Sequence, residues 1–174
     1  YSLTKRFTSL AHFWLGFSLM LAPLAAWIAI RGEEVLAHPA DLVTPSLLGA
    51  IVLFWVAGFD MIYACQDFEY DKRAKLKSVP VRFGVSGALR MAALSHGIMI
   101  ALLACLPFAG SLGGPATDLG TIYWIGVAAL GTLLIYEHSL VSAEDLTRMN
   151  IAFFNVNAVV SIGLFLVVAI DLLV

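Results

Sequence analysis

Charge is scarce in this sequence. Asp, Glu, Lys and Arg make up only 13% of 174 residues, against 61% hydrophobic ones, and the mean hydropathy is +0.93. A soluble globular domain, which carries about 25% charged residues, is thereby excluded. Cysteine is nearly missing too. Cys65 and Cys105 give no framework spacing and fall in or beside apolar runs, so they read as small buried hydrophobes rather than a disulfide or a metal site. Net charge is −2, and no basic patch interleaved with aromatics is present, so nothing points to nucleic acid. Internal repeats and low-complexity tracts are lacking as well. The first residue is Tyr1 rather than methionine, as in a piece of a longer protein or a processed chain.

What the sequence has in abundance is long apolar runs. Five are visible, near residues 12–30, 46–65, 89–108, 119–137 and 151–174. Each is about 20 residues, enough for a helix to cross a hydrocarbon core of roughly 30 Å. The expected fold is all-α: one integral-membrane domain over residues 1–174, a polytopic bundle of about five transmembrane helices. The first run is not a signal peptide, since comparable runs follow it. Basic residues set the orientation. Lys5 and Arg6 precede the first span. Lys72, Arg73, Lys75, Lys77, Arg82 and Arg90 lie between the second and third, and Arg148 between the fourth and fifth, leaving only Arg31 on the other side. Basic loops stay cytoplasmic, which puts the amino terminus and the 66–88 and 138–150 loops in the cytosol, as in a bacterial inner or plasma membrane. The 31–45 and 109–118 connections and the carboxyl terminus face outward. The outward connections carry turn residues: Gly32, Pro39 and Pro45, then Gly110, Gly113, Gly114 and Pro115.

The chemistry gathers where the second run meets the basic loop. Asp60, Asp67 and Asp71 stand at a membrane edge, where carboxylates are costly unless a cation meets them. If the second span continues as one helix through Asp71, about 100° per residue places the three within roughly 40° of one another. Acids on one face repel unless a cation lies between them. An oxygen-only donor set suits magnesium, which takes one or two carboxylates and completes its shell with water and substrate phosphates. A magnesium–diphosphate site at a bilayer surface follows; the competing explanation is a solvated helix end in a mixed-charge loop. Downstream, Ser78 is a candidate helix cap with Pro80 tolerated in the first turn, and Gly84 and Gly87 mark a boundary before the third span.

The stretch DMIYACQDFEYDKRAKLKSVPVRFG at residues 60–84 resembles the second aspartate-rich motif of the UbiA superfamily of membrane aromatic prenyltransferases, in its 4-hydroxybenzoate polyprenyltransferase branch. YSLTKRFT at residues 1–8 is similar to the segment leading into that family's fifth helix, and AFFNVN at 152–157 to the start of its last helix. The resemblance implies the last five helices of a nine-helix fold, with the partner motif N-x-x-x-D-x-x-x-D nowhere in these residues. This chain alone would then hold half the metal ligands and be inactive by itself. The pattern departs at Lys75, where the family has a glycine free to take positive φ.

The resemblance further implies transfer of a polyprenyl group from polyprenyl diphosphate to 4-hydroxybenzoate or a similar aromatic acid, in ubiquinone or menaquinone synthesis, with Mg²⁺ as cofactor and lipid as surroundings. Asp67 and Asp71 would bind metal, with Asp60 supporting them or contacting the acceptor. Lys5 and Arg6 would face the diphosphate or the acceptor carboxylate, and Tyr63 and Asn155 would line the substrate cavity. Each has a plainer explanation: Lys5 and Arg6 as topology anchors, Tyr63 as an interfacial aromatic, Asn155 and Asn157 as interhelical hydrogen-bond partners. His96 reads as a hydrogen-bonding core residue with no other histidine at ligand spacing. Glu137 and His138 read as solvated at the cytosolic face, and Asp171 as reaching water. Two other functions compete. A cation channel predicts acids deep inside spans, and the span centres have none. A CDP-alcohol phosphotransferase needs glycines and an arginine that are missing around Asp60–Asp71.

Overall fold

The computed structural model describes residues 3–143, 146 and 151–174; Tyr1, Ser2 and Arg148, which enter the sequence argument, lie outside that set. Helix is the only regular structure among the described residues. The helices are α1 (Ala11–Ala37), α2 (Val43–Ala64), α3 (Phe68–Arg73), α4 (Val79–Cys105), α5 (Thr121–Ser139) and α6 (Asn157–Asp171). Short 3₁₀ turns at Thr4–Arg6, Pro39–Leu42 and Leu106–Leu112, and a π turn at Ile151–Val156, lie between or before them. Among the described residues, α1, α2, α4 and the segment 154–171 are long and apolar enough to cross a bilayer, as befits an integral membrane protein. The remaining expected span, α5, has 19 residues, about 28 Å of helix, but ends in Glu137 and His138.

Two expected breaks are bends instead. Gly32 does not end the first helix. The backbone departs from helical geometry at Arg31 (φ −120°, ψ 26°) and resumes to Ala37. The bend lets the Arg31 guanidinium donate two hydrogen bonds to Asp41, 3.0 and 2.9 Å long, beside a third from Trp27 Nε1 at 2.7 Å. A charge-assisted fork of that kind locks the turn between α1 and α2. Gly84 likewise kinks α4 at φ 75° without ending it, so the helix before the third span starts at Val79. Ser78 does occupy the cap position, but its side chain makes no cap bond.

Helix α2 is central because its small residues let neighbours close in. Along the antiparallel α1–α2 seam, Gly16 lies against the backbone of Leu53 and Gly49 against Met20. His12–Asp60 closes one end of the seam and Trp27–Asp41 the other. On its other side, Gly58 of α2 lies under the His96 ring of α4. Two apolar clusters fill the interior. One is built on Ala57, Met61, Ile62, Val79, Ala88 and Ala92 near the acidic end. The other is built on Ile51, Met99, Leu103, Tyr123, Leu130 and Val160. Large apolar side chains such as Ile30, Leu94, Ile135 and Phe165 stay exposed, as a lipid-facing surface allows.

Two sequence expectations change here, and a third gains detail. Cys65 is buried as expected, but Cys105 is exposed on α4, where a small apolar side chain can face lipid. Asp171 is partly exposed, as expected, and has a structural role as well. It accepts the N–H groups of Gly120 and Tyr123, satisfying donors at the start of α5 that have no partner within the helix. Glu137 is fully buried, not solvated, because α5 turns it toward the α4 face that carries His96.

Candidate functional site

The acidic segment is two helices, not one. α2 ends at Ala64, residues 65–67 form a turn, and α3 starts at Phe68. The single stripe expected for Asp60, Asp67 and Asp71 therefore divides. Asp67 and Asp71 stay together across one turn, the Asp71 N–H donating to the Asp67 carbonyl at 2.7 Å. Both carboxylates converge on the Lys5 ammonium, Asp71 Oδ2 at 3.1 Å and Asp67 Oδ2 at 3.9 Å. The Asp71 side chain is 2% exposed and that of Asp67 49%, so one acid is sealed into the protein while its neighbour meets solvent.

Asp60 has a different partner. His12 of α1 is fully buried, with Nδ1 2.7 Å from Asp60 Oδ2. Its Nε2 accepts the Val79 N–H at 3.4 Å. A ring nitrogen that accepts a backbone N–H carries no proton in the neutral ring, so the proton sits on Nδ1 and is donated to Asp60. Sequence reasoning passed over His12. The signal was there: a histidine close to the amino-terminal end of the first span, level with Asp60 once the two spans run antiparallel.

Lys5 is held by the loop it serves. Lys77 N–H donates to the Lys5 carbonyl at 2.6 Å, and the Lys77 ammonium donates to the Phe7 carbonyl at 3.3 Å. Arg82 donates to Ser9 Oγ at 3.1 Å. The basic residues 77 and 82 thus staple the amino-terminal segment across the acidic loop. Ser78 Oγ is buried and, among the described residues, has no hydrogen-bond partner. Of the other expected site residues, Tyr63 is half-buried in the last turn of α2, while Arg6 and Asn155 are exposed and join neither acid pair among the described residues.

The turn after Asp71 keeps the shape a glycine would give it. Lys75 has φ 55°, the one positive φ at a non-glycine residue among those described. Leu76 N–H bonds back to the Asp71 carbonyl at 2.8 Å and Lys75 N–H to Lys72 at 3.3 Å, the Schellman pattern that closes a helix. An L-residue in this region costs about 1–2 kcal/mol. Lys75→Gly is therefore expected to stabilise the fold by about 1 kcal/mol, read as a higher melting temperature in detergent.

The donor set fits magnesium. Asp67 and Asp71 offer hard carboxylate oxygens around one cationic point, and a divalent ion suits such oxygens. Comparison with known proteins places the chain among its relatives. The chain is 29% identical to a 4-hydroxybenzoate octaprenyltransferase from Marinobacter nauticus, over 99% of this chain and 53% of that protein. It is 30% identical to a mitochondrial 4-hydroxybenzoate polyprenyltransferase from Caenorhabditis elegans, over 83% of this chain and 37% of that one. Among solved structures, the apo structure of a UbiA homolog from Aeropyrum pernix K1 superimposes with a TM-score of 0.76 at 28% identity, covering 97% of this chain and 58% of that chain. The chain thus spans about half the length of the relatives it matches. Residues 1–159 match the UbiA prenyltransferase family, and helices α1 to α5, the paired acids and their lysine fall within that match: the chain belongs to this family.

Proposed function

We propose that the chain forms the carboxyl-terminal part of a membrane enzyme that transfers a polyprenyl group from polyprenyl diphosphate to 4-hydroxybenzoate or a similar aromatic acid in quinone synthesis. The acidic loops of this enzyme face the cytosol. The observation that carries this reading is the convergence of Asp67 and Asp71 on Lys5 at 3.9 and 3.1 Å, in a chain whose relatives from Marinobacter nauticus and Caenorhabditis elegans are named for that transfer.

Asp67 and Asp71 are the residues that would hold Mg²⁺, which when bound supplies positive charge against a leaving diphosphate. The chain's own groups do the rest. Lys5 balances the acid pair in the resting protein and turns its ammonium to a diphosphate oxygen when substrate arrives. It acts as a preplaced positive charge where negative charge grows. Asp71 is fixed by burial, so it holds its position while the more open Asp67 adjusts. Asp60, its side chain 18% exposed, is oriented by the His12 Nδ1–H and faces the acceptor's hydroxyl. The prenyl C–O bond breaks with the electron pair leaving on diphosphate. The acceptor's ring carbon next to the hydroxyl then forms the new C–C bond, and loss of its proton restores aromaticity. The tail is apolar and stays in lipid or against the exposed apolar faces of the helices.

Lys5→Gln in the native-length protein tests this role. Transfer to 4-hydroxybenzoate is expected to fall about 10²-fold, the scale of losing one preplaced charge donor. Unchanged turnover would remove Lys5 from the site.

A further inference from the structure

A second polar cluster lies where α2, α4 and α5 meet, built from residues that the transfer reaction does not use. His96, Glu137 and His138 each place one ligand-type atom in a common space, all within 4.8 Å of one another. His96 Nδ1 is 3.0 Å from His138 Nε2 and 3.5 Å from Glu137 Oε2. His96 and Glu137 are 2% and 0% exposed, and His138 is half-buried. Sequence reasoning set metal aside here because no second histidine stood near His96 in the chain. The fold supplies one from 42 residues away.

Two features go beyond proximity. Both carboxylate oxygens of Glu137 are buried, and among the described residues neither has a hydrogen-bond partner. A carboxylate left in that condition costs several kcal/mol unless a cation or proton meets it. The second feature is the tautomer of His96. Its Nε2 lies 3.3 Å from the Trp55 carbonyl, which can only accept, so Nε2 carries the proton and donates it. The lone pair is then on Nδ1, aimed at Glu137 and His138. A ligating histidine is held in just this way, its far N–H on a backbone carbonyl. Gly58 of α2 seats the ring: a Cβ there would strike the imidazole. Trp55 is itself tied to α6 through Nε1 and Asn157 Oδ1 at 2.9 Å.

We propose that His96, Glu137 and His138 form a binding site for a divalent transition metal of the zinc type, separate in chemistry from the carboxylate-only pair at Asp67 and Asp71. Two imidazole nitrogens and one carboxylate oxygen make a borderline-soft set that suits zinc and not magnesium. Bonds of about 2.1 Å in a tetrahedral shell place ligand atoms about 3.4 Å apart, and the separations of 3.0 and 3.5 Å from His96 Nδ1 bracket that value. Any proton shared between the two imidazoles leaves as the metal enters. The ion would join α4 to α5, and through Trp55 and Asn157 would reach α6.

The test counts metal rather than turnover. Native-length protein in detergent is stripped with chelator, exposed to Zn²⁺ without diphosphate, desalted and assayed for bound zinc. Co²⁺ loading gives the visible bands of a low-coordinate site. One retained equivalent is expected. Glu137→Gln should weaken binding at least about tenfold, and Glu137→Gln with His138→Asn should abolish it, while Asp71→Asn leaves it unchanged. Melting of each stripped variant shows that it folds; should Glu137→Gln not fold, the Co²⁺ spectrum of His138→Asn against the unsubstituted protein decides. No retained zinc, retention unchanged in the double variant, or zinc lost in Asp71→Asn would each overturn the site. None of these outcomes depends on prenyl transfer, so failure here and failure of the proposed reaction are told apart.

Discussion

In the native-length protein, Asp71→Asn is expected to lower the proposed prenyl transfer by about 10³-fold while leaving the protein folded. The asparagine is close in shape and keeps an oxygen near Lys5, so packing at this buried position changes little. The negative charge is what disappears, and with it the proposed magnesium ligand and the partner 3.1 Å from the Lys5 ammonium. A loss of about 10²–10³ is usual for removing one preorganised electrostatic group. Asp71 stands at the upper end because it is sealed from water, where charge interactions are strongest. Asp67→Asn is expected to cost about tenfold less, since its half-exposed side chain is screened by solvent and water can take its place around a metal ion. Both variants should need more Mg²⁺ to reach half-maximal rate. Glu69→Gln, on the exposed side of α3, should do neither. Equal rates and equal Mg²⁺ dependence in Asp71→Asn and the unsubstituted protein would remove these acids from the chemistry.

The residues that read correctly from sequence are those whose signal is local. Apolar runs of membrane-spanning length gave the helices, and the Asp67–Asp71 spacing put two acids one turn apart because a single turn of helix is fixed geometry. The stripe failed beyond that turn. Extending it to Asp60 required an unbroken helix through residues 65–67, and a turn there breaks the count of 100° per residue. Glu137 and His138 failed for a related reason. Placed after a long apolar run, they look like a polar helix end, and nothing nearby in the chain shows that a histidine 42 positions earlier will sit against them. Gly32 and Gly84 mislead in the opposite direction. Glycine marks a departure from helical φ/ψ, but neighbouring packing decides whether that departure is a stop or a bend. Lys75 shows the limit of residue preference: the hydrogen bonds closing α3 impose φ 55° on a lysine, and tertiary fit overrides the local cost.

Gly16→Val is expected to be among the most damaging single changes away from the acids, because it acts on the backbone and reaches the site through it. A Cβ at Gly16 would meet the carbonyl oxygen of Leu53 and lie 3.1 Å from that residue's backbone carbon and Cα. A side-chain obstacle can rotate aside; a helix backbone cannot, so α1 must move off α2. Overpacking of this kind costs about 1–3 kcal/mol and sometimes more, and in a membrane the close approach of small residues is itself a main source of helix association. One turn before Gly16 on the same helix is His12, whose ring reaches Asp60 at 2.7 Å. Before that comes the segment that carries Lys5 to Asp71. An outward step of α1 by even 1 Å would lengthen both contacts past hydrogen-bonding range. Gly16→Val should therefore lower the melting temperature and reduce transfer at least about 10²-fold, the loss expected from a 1 Å misplacement of positioned groups. Gly97→Ala, at a helical site with nothing within 4 Å of the added carbon, should leave activity intact and raise stability slightly, since alanine favours helix over glycine by about 1 kcal/mol. If Gly16→Val melts and turns over like Gly97→Ala, the α1–α2 seam is not what holds Lys5 and His12 in place.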